Sequence, residues 1–399
     1  MSALTPLPEA LQHILAAAPL PPPAEPCPLP DARGRVLAEA VTSPIAVPGA
    51  DNSAMDGYAL RADDAGLALP VTQRIVAGSC GEPLEPGTAA RIFTGAPLPP
   101  GADAVAMQED CTLRDGVLNI RTGLLPGENV RPRGQDLAAG AEVLPAGWRL
   151  RPQDLGLLAS VGRASVDVYR RLRVAILSTG DELVEPGSGE LAPGMLYNSN
   201  RYTLAGLLAA LGVEVVDGGI VPDDPGATRR ALQDATAGSD LVITSGGVSV
   251  GEEDHVRAQV LRLGELSLWK LAIKPGKPLA FGHIGNVPFL GLPGNPTSVY
   301  VTFNLVARPF LLKMQGATSL VPPVLRARAG FSVDRPGGRC DYLRVSLEQT
   351  VDGPVARRFD NQSSGVLSSV CYSQALAVVP AGATVTAGDP VDILLLDLF

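Results

Sequence analysis

Residues 240–264, DLVITSGGVSVGEEDHVRAQVLRLG, join a short apolar run to a glycine-rich loop and then to a segment whose apolar residues have helical spacing. DLVITS is typical of a buried strand, and DHVRAQVLRLG is typical of an amphipathic helix that ends at a glycine. The same order occurs twice on the N-terminal side, as RVAILS with YTLAGLLAALG and as VEVVDGGIV with GATRRALQDATAG. Strands that alternate with helices of this length predict βαβ units and a parallel, doubly wound sheet.

The sequence on either side of these strand–helix units has a different pattern of apolar residues, glycines and prolines. PLAFGHI and VPFLGL predict two further strands before a long helical stretch at 297–314, and the chain after Gly316 has an all-β pattern. On the N-terminal side, 43–140 is rich in glycine and proline with short β-type runs, whereas 7–20, 31–41 and 152–162 have helical spacing.

We therefore predict a multidomain α/β protein with a central, mostly parallel doubly wound sheet. The expected domains are a small helical linking domain (1–42 with 141–168), a Gly/Pro-rich β domain (43–140), the doubly wound domain (169–317) and a C-terminal β-barrel-like domain (318–399).

The composition excludes several classes of protein. The net charge of −9 argues against duplex nucleic acid as the main partner, and the five scattered cysteines contain no CxxC pair that would indicate zinc. The chain has no run of eighteen apolar residues and no basic-then-apolar N-terminus. We therefore expect a cytoplasmic protein that does not span a membrane.

Polar, glycine-bearing loops follow the predicted strands of the central domain. They are STGDELVEPG, PDD (222–224), SGGVSVGEED and LPGNPTS, and ligands of open parallel sheets bind beyond the carboxyl ends of the strands. Backbone N–H groups of the loop Ser245–Gly251 are expected to approach an anion, although many such loops serve packing alone. The chain has neither GxxxxGK[ST] nor GxGxxG, which argues against Walker-type NTPases and standard dinucleotide folds.

Acidic residues are concentrated on the same loops, namely Asp181, Glu182, Asp223, Asp224 and Asp254. Singly, Glu182 or Asp254 is as well explained as a helix cap. Carboxylates on three loops that face one edge predict instead a hard cation that bridges acidic side chains and substrate phosphate, and oxygen-only ligation favours Mg²⁺ over zinc.

Lysine is rare except at one place. Three of the four lysines, Lys270, Lys274 and Lys277, lie on one predicted strand and its turn, whereas positive charge elsewhere is supplied almost entirely by arginine. Chance clustering is the alternative explanation. Compact ammonium groups in a chain that otherwise uses arginine indicate a site for phosphate or another oxyanion.

These motifs, taken in order, resemble the molybdopterin molybdenumtransferases, the family that includes the gephyrin E domain. The resemblance begins at VPGADNSAMDGYA, RIFTGAPLPPGADAVAMQED and VRPRGQD, and continues through LSTGDEL, LYNSNR and ITSGGVSVGEED to LWKLAIKPGKPLAFG and FLGLPGNPTS. It is weaker in the C-terminal region, through GRCDYLRV and the residues around Ser363. Gln135 and Ala50 depart from residues that are common in the family, without changing the expected reaction class.

The resemblance implies a reaction of adenylated molybdopterin with molybdate and Mg²⁺ that gives molybdenum cofactor and AMP. It implies a homodimer whose active site is shared between the subunits, and a molybdopterin adenylyltransferase as a partner. The implied catalytic residues are Asp56, Thr94 and Asp136 from one subunit and Glu182, Asp223, Asp254, Lys270 and Lys274 from the other, with Glu182, Asp223 and Asp254 assigned to the metal or the adenylate phosphate.

The resemblance also implies a pterin-nucleotide pocket. Its residues are those of the glycine loop (Ser245, Gly246, Gly247, Ser249 and Gly251), Lys277, the PGNPTS stretch (Pro293, Gly294, Asn295, Pro296 and Ser298) and two C-terminal anion-binding positions (Arg344 and Ser364).

Three other functions remain as alternatives. A molybdopterin adenylyltransferase shares the doubly wound domain but lacks the half that carries DNSAMDGYA. Nicotinamide-nucleotide recycling proteins share the domain too, but the KLAIKPGKP stretch is not expected in them. A dimeric scaffold of the gephyrin type would have lost its chemistry, against which the intact set of acidic and lysine positions argues.

Overall fold

A computed structural model describes residues 4–121, 123–247 and 255–396 of the chain. Its N-terminal elements are α1 (Leu7–Ala16), β1 (Ala24–Pro28), β2 (Val41–Thr42), β3 (Asn52–Ser53), β4 (Gly57–Leu60), β5 (Leu69–Ile75), β6 (Ala89–Ile92), β7 (Ala104–Met107), β8 (Cys111–Arg114), β9 (Val117–Ile120), β10 (Val130–Arg131), β11 (Glu142–Leu144), α2 (Pro152–Ser160) and β12 (Ser165–Tyr169).

The central elements alternate between strands and helices as the sequence predicts. They are β13 (Arg173–Thr179), β14 (Leu183–Val184), β15 (Leu196–Tyr197), α3 (Ser199–Ala210), β16 (Glu214–Val221), α4 (Pro225–Thr236), β17 (Leu241–Ser245), α5 (His255–Leu263), β18 (Gly264–Lys270), β19 (Ile273–Lys274), β20 (Pro278–Ile284), β21 (Val287–Leu292), α6 (Pro296–Thr302) and, after a π-helical turn (Phe303–Ala307), α7 (Arg308–Met314).

The C-terminal elements are β22 (Leu325–Ala329), β23 (Cys340–Thr350), β24 (Gly353–Arg358), α8 (Ser368–Cys371), β25 (Ala375–Val379) and β26 (Pro390–Leu395).

The central sheet has the strand order β16-β13-β17-β21-β20-β18. The first four strands are parallel, and β20 and β18 complete the sheet through antiparallel pairings. The predicted mostly parallel α/β domain is therefore confirmed. Two of its helices begin at capping residues: the side chain of Asn198 accepts from Arg201 N at the start of α3, and that of Asp224 accepts from Ala227 N at the start of α4.

The C-terminal strands close into a five-stranded barrel, because β23 pairs with both β24 and β25 while β22 and β26 complete the circle. The short strand β19 of the central region pairs in parallel with the first two residues of β23. The Gly/Pro-rich segment forms a separate six-stranded sheet with the order β7-β4-β6-β5-β9-β8. None of the helices described is long and apolar enough to cross a membrane.

Two long-range strand pairs link distant parts of the first 170 residues. β1 pairs with β12, and β2 pairs with β11, so that residues before position 43 lie against residues after position 140. The exact domain boundaries given above stay predictions.

The predicted helix at 31–41 is wrong. Only a short 3₁₀ turn, Leu29–Asp31, occurs there. Gly34 then adopts a φ of +75°, a left-handed conformation that ends helical geometry. Val36 and Leu37 instead form β-bridges with Arg149 and Val168. Long-range pairing of the backbone therefore overrides the helical spacing of the apolar residues.

Asp240, which precedes β17, links the N-terminal ends of β17 and β13 in the central sheet. Its carboxylate accepts from both terminal nitrogens of Arg170, at 3.1 and 2.9 Å, and from Arg173 N at 2.7 Å. Burial alone raises the pKa of the Asp240 carboxyl, but these hydrogen bonds outweigh it and hold the pKa below the ordinary value. The stabilisation is therefore present above the unfolded-state pKa and is lost as the pH falls through the lower folded-state pKa.

We expect Asp240→Asn to lower the free energy of unfolding by about 1–3 kcal/mol, because hydrogen bonds to a charged acceptor are lost in a partly buried position. Urea denaturation at neutral pH measures this, and the difference from wild type should shrink at acidic pH. Glu348→Gln is the control, since its pair with Arg357 has both side chains more than half exposed. Equal effects of the two substitutions would contradict the assignment.

Candidate active site

Three glycine-bearing turns meet at the carboxyl edge of the central sheet. Gly246 follows β17, and its N–H donates to Leu292 O at the end of β21, at 3.2 Å. A Cβ on Gly246 would lie 3.1 Å from Thr179 O at the end of β13. A Cβ on Gly247 would lie only 2.6 Å from the side chain of Val256, and both glycines have positive φ. Backbone this close leaves no room for side chains, so the turn offers amide groups instead.

Two hydroxyls are buried beneath this turn. Ser245 is 3% exposed and Thr244 fully buried, and neither side-chain oxygen has a hydrogen-bond partner among the described residues. Buried polar atoms are normally paired, so unpaired hydroxyls beside a glycine turn fit a site that receives a polar ligand. Ser249, Gly251 and Asp254 lie outside the described residues, and their predicted roles stay predictions.

The PGNPTS stretch lies at the same edge, directly after β21. Asn200 at the start of α3 donates to Gly294 O at 2.7 Å. Pro293 and Ser298 are buried, whereas Gly294 and Asn295 are exposed at the start of α6. The structure thus places Ser245, Gly246 and Gly247 of the predicted glycine loop and the PGNPTS residues at one edge.

Ser364 reaches this edge from the C-terminal barrel. Its carbonyl oxygen accepts from Thr297 N at 3.0 Å, and Thr297 Oγ1 donates to Val366 O at 3.0 Å. These bonds fix the stretch around Ser364 on the first turn of α6. Ser364 and Ser298 are therefore neighbours of the same helix start, as their joint assignment to one pocket requires.

Arg344 supports the Ser364 stretch from inside the barrel. Its side chain is 1% exposed, and it donates to Ser369 Oγ at 3.1 Å and to Ser363 O at 3.3 Å. Burial lowers the pKa of Arg344 to about 10. In this geometry the guanidinium orders the turn that carries Ser364, and its predicted contact with an anion stays a prediction.

The lysine turn, residues 270–277, also belongs to this edge. β18 has the same direction as β21, because each is antiparallel to the β20 strand between them. Lys270, the last residue of β18, therefore lies at the carboxyl edge with Ser245 and Leu292. Leu271 N donates to Lys277 O at 2.8 Å and closes the turn.

The C-terminal barrel holds the middle of the lysine turn. Ile273 and Lys274 pair with Cys340 and Asp341 of β23, and Lys274 Nζ lies 3.3 Å from Asp341 Oδ2. Among the ion pairs between described residues, none includes Lys270 or Lys277. Two ammonium groups thus remain available for an anion. Sequence reasoning missed Asp341, although it lies within the quoted GRCDYLRV motif.

The acidic loops after β13 and β16 are tied to each other. Asp223 N donates to Asp181 Oδ1 at 3.0 Å, and Asp181 N lies 3.4 Å from Asp223 Oδ2. Glu182 is exposed beside them. Asp224 caps α4 instead, as described above. No group of three His, Cys, Asp or Glu side chains placed to hold a metal occurs in the described ranges, and Asp254 lies outside them.

Asp56 and Thr94 form a second cluster, in the Gly/Pro-rich β domain. Asp56 Oδ1 accepts from both Thr94 N and Thr94 Oγ1, each at 2.8 Å. These hydrogen bonds lower the pKa of the Asp56 carboxyl, which keeps it ionised. Gly57 follows on β4, where a Cβ would lie 1.9 Å from Ala106 O, so the motif needs glycine there for strand pairing.

The backbone N–H of Asp136 donates to Val47 O at 3.0 Å, and its exposed side chain has no hydrogen-bond partner among the described residues. In the part of the chain that the structure describes, no hydrogen bond or ion pair joins 43–140 to 173–317. The structure therefore does not bring Asp56, Thr94 or Asp136 into bonded contact with the edge of the central sheet within one chain.

Comparison with known proteins covers nearly all of this architecture. Residues 5–162 match the MoeA N-terminal region (domain I and II), residues 175–313 match the probable molybdopterin binding domain, and residues 326–396 match the MoeA C-terminal region (domain IV).

Similar proteins extend over the same length. The molybdopterin molybdenumtransferase of Haemophilus influenzae is 43% identical over 87% of this chain and 89% of its own length. The Nostoc protein of the same name is 40% identical over 90% and 85%. A crystal structure described as the molybdopterin biosynthesis moeA protein from Pyrococcus horikoshii has a TM-score of 0.84 at 31% identity, over 98% of this chain and 100% of that one. The chain therefore belongs to the molybdopterin molybdenumtransferase family.

Proposed function

We propose that this protein inserts molybdenum from molybdate into adenylated molybdopterin, with release of AMP. Membership of the family supports a transferase role in molybdenum cofactor biosynthesis. The observation that carries the finer proposal is the carboxyl edge of the central sheet, where the glycine turn, the PGNPTS stretch, Ser364 and the lysine turn lie together.

The residues at this edge suit a reaction between two anions. Molybdate is a dianion and the adenylated pterin carries phosphates, so their approach is opposed by repulsion. Lys270 and Lys277, together with the amides of the Gly246–Gly247 turn, oppose that repulsion. Preorganised donors of this kind also stabilise charge that develops on phosphate oxygens during transfer.

An ion pair with Asp341 of the barrel positions the side chain of Lys274. Asp341 is 16% exposed and holds Lys274, which is 55% exposed. An incoming oxyanion meets an ammonium group that is already ordered by the barrel. The pair is open to water on the lysine side, so the anion can approach without first desolvating a buried charge.

The acidic residues fit a hard cation. Glu182 and Asp223 are exposed, oxygen-only donors on adjoining loops, and neither forms an ion pair with a described residue. Mg²⁺ commonly binds one or two carboxylates and completes its coordination with substrate phosphate and water. Glu182 and Asp223, with Asp254, would hold Mg²⁺, which would supply charge neutralisation at the adenylate phosphate.

The first test is AMP release from adenylated molybdopterin by the purified protein. We expect release that requires both molybdate and Mg²⁺, since the anions need the cation for close approach. Chromatographic measurement of AMP decides this. Binding of the intermediate without AMP release under any oxyanion would favour the scaffold function, and formation of the adenylated intermediate from molybdopterin and ATP would favour the adenylyltransferase.

Lys274→Ala should raise the molybdate concentration for half-maximal AMP release by about tenfold or more, the effect of one lost charge-assisted hydrogen bond. Folding should change little, because the partly exposed pair with Asp341 is worth only about 1 kcal/mol or less. Lys313→Ala is the matched control: it removes the fourth lysine, which is exposed near the end of α7. An unchanged molybdate requirement in Lys274→Ala would count against its role.

We also propose that the active site is completed by a second subunit, which contributes Asp56, Thr94 and Asp136. This is supported by the lack of bonded contact between 43–140 and 173–317 among the described residues. A molybdopterin adenylyltransferase is the proposed source of the adenylated substrate, and a cytoplasmic location stays a prediction.

Mixed dimers test the shared site directly. At a molybdate concentration too low to support the Lys274→Ala variant, Asp56→Asn and Lys274→Ala chains should each have little activity alone and should regain about one quarter of wild-type activity when coexpressed in equal amounts. Random pairing makes half of the dimers mixed, and each mixed dimer has one intact site out of two. Activity that stays at the level of the single variants would place the whole site within one subunit.

A further inference from the structure

A cavity lies away from the carboxyl edge. Its volume is about 350 Å³, and it is lined by the segment 147–151, by α7 and by the loop 317–323. Arg308, on its wall, begins α7, twelve residues after Pro296. At 1.5 Å per residue this separates the cavity from the start of α6 by roughly 18 Å along the helix. The cavity is therefore distinct from the proposed active site.

Three arginines line the cavity, and only one of them is neutralised. Arg151 donates to both carboxylate oxygens of Asp154, each at 3.0 Å. Arg149 and Arg308 have no carboxylate within 4 Å among the described residues. Arg149 donates to Ala210 O at 3.1 Å, but its Nε is buried without a hydrogen-bond partner in the same described part of the chain.

The environment of Arg149 and Arg308, which have no carboxylate partner among the described residues, disfavours their positive charge. Burial, reinforced by repulsion from Arg308 and Arg33, lowers the pKa of Arg149, and burial lowers the pKa of Arg308. Removing cations from water without a counter-charge costs free energy. Two such cations at one cavity, with an unused donor, indicate that a dianion supplies the missing charge.

The rest of the cavity wall is mostly apolar and is suited to the organic part of a small molecule. Trp148 is fixed by a hydrogen bond from its Nε1 to Asp154 Oδ2 at 3.0 Å, and Leu320, Val321 and Pro322 lie on the same cavity. Thr318 and Ser319 add hydroxyl groups. A cavity of this size with apolar walls and a few placed charges is typical of small-molecule sites.

We propose that this cavity binds a phosphate monoester with a planar or apolar body, its phosphate between Arg149 and Arg308 and its body against Trp148. Two arginines supply two positive charges and several planar donors, which match a phosphate dianion better than a single carboxylate. The site is independent of the proposed molybdenum chemistry.

Phenyl phosphate is the probe, and calorimetric titration of the full-length protein measures its binding. We expect Arg149→Gln and Arg308→Gln each to weaken binding by about tenfold or more, and we expect wild type to bind inorganic phosphate and phenol more weakly than phenyl phosphate. Arg326→Gln is the matched control, because this arginine is 80% exposed on the barrel, and Lys274→Ala should bind as wild type does.

Several results would overturn the proposal. These are no binding to the wild type, binding to the two arginine variants as tight as to wild type, or loss of binding in Lys274→Ala, which would place the ligand at the carboxyl edge. A fourth is dissociation of a dimer by Arg149→Gln or Arg308→Gln without phenyl phosphate binding to the wild type, which would assign the arginines to a carboxylate of a second copy.

Thermal denaturation separates this role from a purely structural one. Without phosphate, Arg308→Gln should have a higher Tm than wild type, because a partly desolvated charge without a counter-charge is removed. Phenyl phosphate should raise the Tm of wild type and leave that of Arg308→Gln almost unchanged. A fall in Tm for phosphate-free Arg308→Gln would show that the arginine already has its partner within the fold, and the proposal would be wrong.

Discussion

The close approach of Gly246 to the ends of β13 and β21 is the constraint on which the rest of the site depends. Its N–H reaches Leu292 O, and Thr179 O leaves no space for a side chain. Three parallel strands can end this close together only because glycine follows β17. The approach sets the position of the PGNPTS stretch, which begins one residue after Leu292, and through it the position of the Ser364 stretch. A change at this turn therefore alters residues far apart in the sequence.

The C-terminal barrel contributes to the site mainly by positioning residues of the carboxyl edge. Arg344 is enclosed within it and holds the turn that carries Ser364, while Asp341 holds Lys274 from the adjacent strand. The C-terminal domain thus positions two groups at an edge that belongs to another domain. Charged residues buried in this way are costly on their own, and their hydrogen bonds to a functional turn give a physical reason for keeping them.

The sequence was sufficient where the pattern is local and strong. The main strands and helices of 173–314 follow from apolar runs, helical spacing and glycines, and so does the gathering of the loops at one edge. It failed at 31–41, where Gly34 and the bridges of Val36 and Leu37 to distant residues decide the backbone. It did not find the Lys274–Asp341 pair either, since a strand pairing across 67 residues leaves no local signal. The metal set and the shared site rest on family resemblance and remain proposals.

The pairing of β19 with β23 has a consequence for synthesis on the ribosome. Lys274 is translated 67 residues before Asp341, so at about 5–20 residues per second the lysine turn waits roughly 3–13 s for its partner strand. Once Leu292 has been made the central sheet has all its strands, whereas until Cys340 and Asp341 are made the backbone of Ile273 and Lys274 lacks its partner strand. The proposed oxyanion-binding face is thus completed late, by the last domain to emerge, and a chain that stalls between residues 292 and 340 has every strand of the central sheet but no partner strand for the lysine turn.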